Sequence, residues 1–231
     1  MAQSGPMRAV SWNAQHGVPD PKGPPDLGKA LAPLAAMAPD VVGLQEVDTG
    51  FQRTAFEDQV AAVADSLGGT AFPVPAFRRG EGTYGNALVV RGEIVEGEVM
   101  KLPGPAEPRA AGVARLRLGD GQWSVAVTHL SLERTTALDQ LGAVLDALEV
   151  LPRPRLLLGD LNLQPPDVGP VASTRGYKVV EGPPTWNARS TLRRRLDHML
   201  LKGAQVQTSG AKKLPVSDHL AIWADLQRTD P

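Results

Sequence analysis

The segment Leu156–Asn162 (LLLGDLN) places a carboxylate and an amide directly after three leucines. An apolar run with no polar face is typical of a strand buried on both sides, and Gly159 allows a tight turn at its end. Asp160 and Asn162 are two residues apart, so on an extended backbone they would point the same way. Together they could hold a hard cation and a phosphate. An ordinary strand-ending turn has the same pattern, so other segments must decide between the two interpretations.

The same context recurs along the chain, with a polar residue at or just past the end of an apolar, strand-like segment. If these strands are neighbours in a sheet, their ends gather on one rim and surround one cleft. Carboxylates and imidazoles collected there could bind a divalent cation, lower the pKa of a bound water and transfer a proton. The positions are Asn13, Glu46, His129, Asp160, Asn162, Asp197, Asp218 and His219.

Individual roles follow from the side-chain types. Glu46 is the candidate cation ligand, with the carboxylates and amide of the same set close by. Asp197 could hold one imidazole nitrogen of His219 and fix its tautomer. Arg109 offers bidentate contact to a phosphate. Each residue also has a plain structural interpretation, because a strand-end Asp or Asn is often a turn residue and a lone His129 is often a rim histidine.

Two further positions complete the candidate phosphate contacts. Tyr84 and Asn86 lie immediately before the apolar segment Ala87–Val90. Tyr84 could equally be rim packing. The basic run 193–195 is usually a solvated face, with a substrate contact as the alternative.

Composition restricts the class of protein. The chain has 231 residues, 42% hydrophobic and 21% charged, and a net charge of −1, so there is no overall basic footprint for nucleic acid. It contains no cysteine, which excludes disulfides, thiolate metal sites and a cysteine nucleophile. The remaining oxygen and imidazole ligands favour Mg²⁺, with Mn²⁺ or Ca²⁺ as alternatives. No segment has the length and apolarity of a membrane span or a signal peptide. We therefore expect a cytoplasmic monomer.

Strand-like and helix-like segments alternate, and hairpins interrupt the alternation, which favours a mixed α/β sandwich. We expect a flexible leader over residues 1–6 and a single domain over residues 7–228. Helical spacing of apolar residues predicts helices at Leu27–Met37, Phe56–Leu67, Thr135–Val150 and Val168–Gly176. Strands are predicted at Met7–Asn13, Val41–Gln45, Ala71–Phe77, Ala87–Val90, Ile94–Met100, Gly112–Leu118, Gln122–Thr128, Arg155–Leu158, Leu196–Leu201 and Leu220–Leu226.

The order of the motifs resembles the endonuclease/exonuclease/phosphatase superfamily of DNase I-like phosphoesterases. The matching stretches are SWNAQ, GLQEVD, YGNALVV, EPRAA, VTHLS, LLLGDLN, RRLDHML and SDHLAIWADL, and they span Ser11 to Leu226. The resemblance implies a four-layer α/β/β/α sandwich, with two mixed sheets face to face and helices outside. It also implies hydrolysis of a phosphoester by in-line attack of water, with Mg²⁺ as the usual metal.

The resemblance also implies site roles. Asn13, Glu46 and Asp218 belong to the metal side. Asp160 and Asn162 orient water and phosphate, with Asp160 the favoured base. Asp197 pairs with His219, which contacts the scissile phosphate, and His129 serves as a proton donor or phosphate ligand. Tyr84, Asn86 and Arg109 are candidate contacts to the substrate phosphate.

Several functions are compatible with this reading. The leading hypothesis is a metal-dependent phosphodiesterase or nuclease, with nucleic acid as the first substrate class. A phosphatase or a phospholipid or sugar-phosphate phosphodiesterase of the same fold is the alternative. A catalytically silent binding module is a third reading, which would melt at the same temperature with and without Mg²⁺ or Mn²⁺. A serine hydrolase is excluded because the sequence has no G-x-S-x-G motif.

Overall fold

The computed structural model describes residues 5–19, 23–105, 107–119, 121–186 and 193–229. These residues form two six-stranded mixed β-sheets that stack face to face, with helices on both outer surfaces. The predicted four-layer α/β/β/α sandwich is therefore confirmed. Part of the expected leader, residues 1–4, lies outside the described residues, and the single-domain organisation over residues 7–228 stays a prediction.

The first sheet has the strand order β11-β12-β1-β2-β4-β3. In chain order its strands are β1 (Met7–Asn13), β2 (Val41–Thr49), β3 (Thr70–Arg79), β4 (Gly82–Val90), β11 (Ala204–Lys212) and β12 (Ala221–Arg228). β1 and β2 are parallel, and the other neighbouring pairs are antiparallel. Helices α1 (Gly28–Ala35) and α2 (Gln59–Leu67) pack on its outer face.

The second sheet has the order β5-β6-β7-β8-β10-β9. Its strands are β5 (Glu93–Leu102), β6 (Arg109–Leu118), β7 (Gly121–His129), β8 (Arg155–Asp160), β9 (Lys178–Val179) and β10 (Asp197–Lys202). Here β7 and β8 are the parallel pair, joined by helix α3 (Arg134–Glu149). α3 and helix α4 (Pro165–Thr174) cover its outer face. Within the described residues, no helix is long and apolar enough to cross a membrane.

The main core lies between the two sheets, where apolar side chains from β1, β2, β7, β8 and β10 interdigitate. The sheets approach closely at Gly43 of β2, where an added Cβ would lie 2.9 Å from the Leu158 Cβ. Leu158 belongs to β8, which is fully buried as its continuous apolar sequence predicts. This contact fixes the spacing between β8, which ends at Asp160, and β2, in which Glu46 lies within the strand rather than just past its end as the sequence predicts.

Two local predictions are wrong. The second helix begins at Gln59, with Asp58 as its N-cap, so Phe56 lies before the helix and is exposed rather than on its buried face. Asn162 has φ of 52°, so it does not continue the extended strand, and the argument that Asp160 and Asn162 share a strand face fails. In addition, strands β9 and β11 were not predicted.

Candidate active site

Strand pairing brings the predicted polar residues to one edge of the sandwich. Asp160 ends β8 and pairs with His129 at the end of parallel β7. On its other side it pairs with Asp197, the first residue of antiparallel β10. The facing sheet contributes Asn13, at the end of β1. The end of the segment Leu156–Asn162 therefore lies at the centre of the cleft.

The polar side chains of the cleft converge on the Asp160 carboxylate. Its Oδ2 atom lies 3.0 Å from the Asn13 Nδ2, 3.5 Å from the His129 Nε2 and 3.7 Å from the His219 Nε2. Its Oδ1 atom accepts a hydrogen bond of 3.1 Å from the backbone N–H of Asn162. The left-handed backbone conformation of Asn162 accompanies this hydrogen bond, and the Asn162 side-chain amide donates to the Leu130 carbonyl. Asp160 is thus a buried carboxylate held in one orientation.

His219 and Asp197 form a buried, directly bonded pair. The His219 Nδ1 lies 2.8 Å from the Asp197 Oδ2. Burial works against the charge of the imidazolium, but the carboxylates of Asp197, Asp160 and Asp218 outweigh it and raise the pKa of His219 to about 10. At neutral pH the ring is therefore protonated, with Nδ1–H donated to Asp197 and Nε2–H directed towards the cleft.

His129, in contrast to His219, is neutral at pH 7. Burial, reinforced by the Arg109 guanidinium, lowers the pKa of His129 to about 4 despite the attraction of Asp160. The Arg109 Nη1 lies 3.0 Å from the His129 Nδ1. A guanidinium can only donate, so Nδ1 must be the acceptor and Nε2 must carry the proton. The neutral His129 therefore presents an N–H to Asp160 and the cleft.

Glu46 enters the cleft through an irregularity in β2. The pairing of β2 with β4 shifts between Leu44 and Val47, and Glu46 has φ of 55°. This bulge directs its carboxylate to Asn13, whose Nδ2 donates to it over 2.9 Å. Asn13 thus bridges Glu46 and Asp160, while its own oxygen accepts from the Gln15 N–H.

The carboxylates at this edge fit a divalent cation. Burial raises the pKa of Glu46, and repulsion from Asp160 and Asp218 raises it further against the opposing hydrogen bond from Asn13. A cation would relieve this repulsion. Oxygen and nitrogen atoms of Asp160, Asp197 and His219 also lie within 4.8 Å of one another. Within this group Asp197 and His219 already bind each other.

The remaining predicted residues divide into two groups. Tyr84 and Arg109 line the cleft, and Asp218 does so while accepting a hydrogen bond of 3.1 Å from the Trp186 Nε1. Asn86 does not line it. Its Nδ2 donates 3.0 Å to the Ala110 carbonyl and links β4 to β6 across the two sheets. We therefore do not retain Asn86 as a phosphate contact.

Several cleft residues were missed by the sequence reasoning. The cleft has a volume of about 510 Å³. Its lining includes Leu132, whose side chain is 79% exposed. Arg194, from the basic run for which the sequence left a substrate contact open, also lines the cleft and lies over the Trp186 ring. Leu132 follows the THLS motif by one residue, which was the available signal. The other missed lining residues are Gln15, Arg53, Phe77, Glu107, Trp186 and Leu196.

Two mixed sheets flanked by helices, with an acidic cleft at their common edge, define the DNase I-like class of fold. The chain belongs to the endonuclease/exonuclease/phosphatase family, whose model matches residues 10–219. This family is one of phosphoester hydrolases, and its members are generally metal-dependent.

Solved structures show the same fold. An endonuclease/exonuclease/phosphatase from Beutenbergia cavernae is 23% identical, with a TM-score of 0.80, over 97% of this chain and 72% of that one. The human Nocturnin catalytic domain with a bound sulfate anion is 20% identical, with a TM-score of 0.74, over 99% and 97%. D. rerio TDP2 complexed with a single-strand DNA product is 20% identical, with a TM-score of 0.73, over 96% and 98%. A search of curated proteins finds no match.

Proposed function

We propose that the protein is a metal-dependent phosphodiesterase that hydrolyses a phosphoester bond by attack of water, with nucleic acid as the leading substrate class. The observation that carries the proposal is the convergence on Asp160 of an amide, a neutral imidazole and a charged imidazole, all within 3.7 Å of one oxygen. Such a set can orient a water, accept its proton and bind the phosphate that is attacked.

Each residue then has one task. Asp160 is the base that receives a proton from the attacking water, and Asn162 aligns that water or a phosphate oxygen. The charged His219, held by Asp197, donates its Nε2–H to the phosphate as negative charge develops. The neutral His129 keeps its Nε2–H proton and donates only a hydrogen bond, to a phosphate oxygen or to the leaving oxygen, so the protonated His219 is the residue that can supply a proton to the leaving group. Arg109 holds His129 in the tautomer that can do so.

Metal binding is assigned to two carboxylates beside the Asp160 and His219 group. Glu46 and Asp218 are the proposed ligands, and Asn13 positions Glu46. We propose Mg²⁺, with Mn²⁺ or Ca²⁺ as alternatives, because the ligands are carboxylates. When bound, the cation would neutralise phosphate charge and lower the pKa of a bound water.

Nucleic acid is favoured by the other lining residues. Phe77, Leu132 and Trp186 give the cleft apolar surface beside its charged groups, which suits a substrate with a base next to its phosphate. The single-strand DNA product in the TDP2 structure supports the same first choice. A cytoplasmic location and a monomeric state remain sequence-based proposals.

The test is nicking of supercoiled plasmid with Mg²⁺ or Mn²⁺, with EDTA and His219→Ala run beside it. We expect nicking that requires metal and falls by about 10²–10⁴-fold in the variant. Arg8→Gln is the folded control, since Arg8 pairs with Asp225 and is not among the residues that line the cleft. Nicking that persists in His219→Ala would reflect contamination and contradict the proposal. Hydrolysis of a sugar-phosphate or phospholipid ester without nicking would instead favour the alternative substrates.

A further inference from the structure

Arg53 is fixed at the edge of the cleft by a buried carboxylate. Its Nε and Nη2 atoms donate to the two oxygens of Asp48, each over 2.7 Å. Asp48 is fully buried and also accepts a longer bond from the Thr54 hydroxyl. The guanidinium carbon lies 5.3 Å from the ring centres of both Phe51 and Tyr84. A long side chain is therefore held in one position before any ligand arrives.

The other side of this guanidinium faces the cleft. The Arg53 side chain is 44% exposed and lines the cleft together with Glu46, Tyr84 and Arg109. Among the described residues, its Nη1 makes no hydrogen bond. Burial and the nearby carboxylates keep the pKa of Tyr84 above its usual value, so its hydroxyl stays a neutral donor. The part of the cleft wall beside Glu46 thus offers the Nη1 N–H groups of Arg53 and the O–H group of Tyr84.

A plain structural role for Arg53 is to neutralise Asp48. Arg8 shows what that role looks like elsewhere in the same protein. It donates through Nε and Nη2 to both oxygens of Asp225, over 2.7 and 2.8 Å, and stacks on an aromatic ring, that of Trp223. Arg8 lies on β1 and is not among the cleft-lining residues. Both arginines donate through Nε and Nη2 to one carboxylate and lie against an aromatic ring. They differ at Nη1: that of Arg8 donates to the Met37 carbonyl over 3.0 Å, whereas that of Arg53 makes no hydrogen bond among the described residues and belongs to a side chain that lines the cleft.

We propose that Arg53, with the hydroxyl of Tyr84, forms a second anion subsite that binds a phosphate next to the one being hydrolysed. The inference rests on the proposed function, and it predicts a preference for substrates with at least two phosphate groups, such as an oligonucleotide. A guanidinium that is already paired and stacked loses little conformational entropy on binding, so this subsite contributes to affinity at low cost.

The test compares a dinucleotide with one internal phosphodiester against the same dinucleotide with an added terminal phosphate, at its 5′ or 3′ end. The double variant Asp48→Asn/Arg53→Gln removes the charge without leaving a buried carboxylate unpaired. We expect the wild-type protein to prefer one phosphorylated form by about 10–100-fold in kcat/KM, the effect of one charge-assisted hydrogen bond or two. The double variant should lose most of that preference and retain hydrolysis of the unphosphorylated dinucleotide.

The matched control is Asp225→Asn/Arg8→Gln, which removes the equivalent arginine–carboxylate ion pair outside the cleft. It should keep the wild-type preference. The inference is overturned if the Asp48/Arg53 variant also keeps the preference, or if both double variants lose it equally, since the effect would then come from general destabilisation.

A binding measurement separates this inference from the proposed function. If the wild-type protein hydrolyses neither dinucleotide, the nuclease proposal fails, and calorimetry with thymidine 3′,5′-bisphosphate and thymidine 5′-monophosphate still tests the subsite. Tighter binding of the bisphosphate that is lost in the Asp48/Arg53 variant supports it. Equal affinities for the two nucleotides in the wild-type protein contradict it.

Discussion

At the scale of single residues, the charge of His219 depends on Asp197. Asp197→Asn keeps the size of the side chain but removes the anion that offsets burial, so the pKa of His219 should fall from about 10 towards or below its ordinary value. The wild-type ring is charged at pH 7 and stays charged until the pH approaches 10. In the variant the charge is lost at a lower pH, and kcat at pH 8 should fall by about 10²–10⁴-fold. NMR titration of the ring and a pH–rate profile check this, and an unchanged His219 pKa would contradict it.

The tautomer of His129 is a second residue-scale prediction. Arg109→Met removes the donor that makes Nδ1 an acceptor and the positive charge that helps to lower the His129 pKa. The Nε2–H tautomer, then held by Asp160 alone, should be less favoured, and the pKa should rise. Nitrogen chemical shifts of the ring report the change. His198 is the internal control, because its Nε2 lies 2.9 Å from the Leu163 carbonyl, which can only accept. The His198 signals should be the same in both proteins, whereas an unchanged His129 tautomer in Arg109→Met would refute the assignment.

The proposed metal ligands can be tested without substrate. A cation that binds only the folded protein raises the melting temperature, with about 2.7 kcal/mol of stabilisation at a concentration 100 times the Kd. We expect Mg²⁺ or Mn²⁺ to raise the melting temperature of the wild-type protein and to have little effect on Glu46→Gln. Glu98→Gln, on exposed strand β5, is the control and should respond like the wild type. An equal response of Glu46→Gln would place the cation elsewhere.

At the scale of elements, the sequence predicts the buried strands and the exposed strand β5, but not the two-residue strand β9 or the exposed edge strand β11. β8 was predicted because an all-leucine run fits a strand with two buried faces. β11 was missed because it is an edge strand whose residues are mostly exposed, so its sequence AQVQTSGAK carries little apolar alternation. Cleft residues supplied by irregular backbone were missed for a related reason. No periodicity places Trp186 or Arg53, and the bulge that turns Glu46 inwards is set by pairing with β4.

The start of α2 gives an element-scale prediction. The Asp58 side chain accepts a hydrogen bond of 3.0 Å from the Ala61 N–H and another from the Thr49 hydroxyl. Asp58→Ala leaves a helix N–H without its cap and should lower the free energy of unfolding by about 0.5–2 kcal/mol. Denaturant unfolding measures this. Asp65→Ala, an exchange near the other end of the same helix, should change stability less, and equal losses would show that the cap is not the cause.

At the scale of the whole molecule, the site is made by the packing of one sheet on the other. Asn13 and Glu46 come from the first sheet, and His129, Asp160 and Asp197 from the second. The residue types were predictable from the sequence, since each follows an apolar segment. The four-layer arrangement came from the order of the motifs rather than from any one of them. The contact between Asn13 and Asp160, 147 residues apart in the chain, depends on sheet spacing, which no local pattern specifies.

Sheet spacing should therefore control both stability and the site, and Gly43→Ala tests this. The added methyl would lie 2.9 Å from the Leu158 Cβ and 3.2 Å from a Val127 methyl, so the sheets must separate, at a cost of about 1–3 kcal/mol. Glu46 and Asp160 lie just beyond these contacts on their strands, so the separation should also weaken the Mg²⁺-induced rise in melting temperature. Gly169→Ala is the control, because nothing lies within 4 Å of its added Cβ in α4 and alanine favours a helix. It should be neutral or stabilising and keep the metal response, whereas a Gly43→Ala protein with unchanged stability would show that the sheets can absorb the methyl without moving apart.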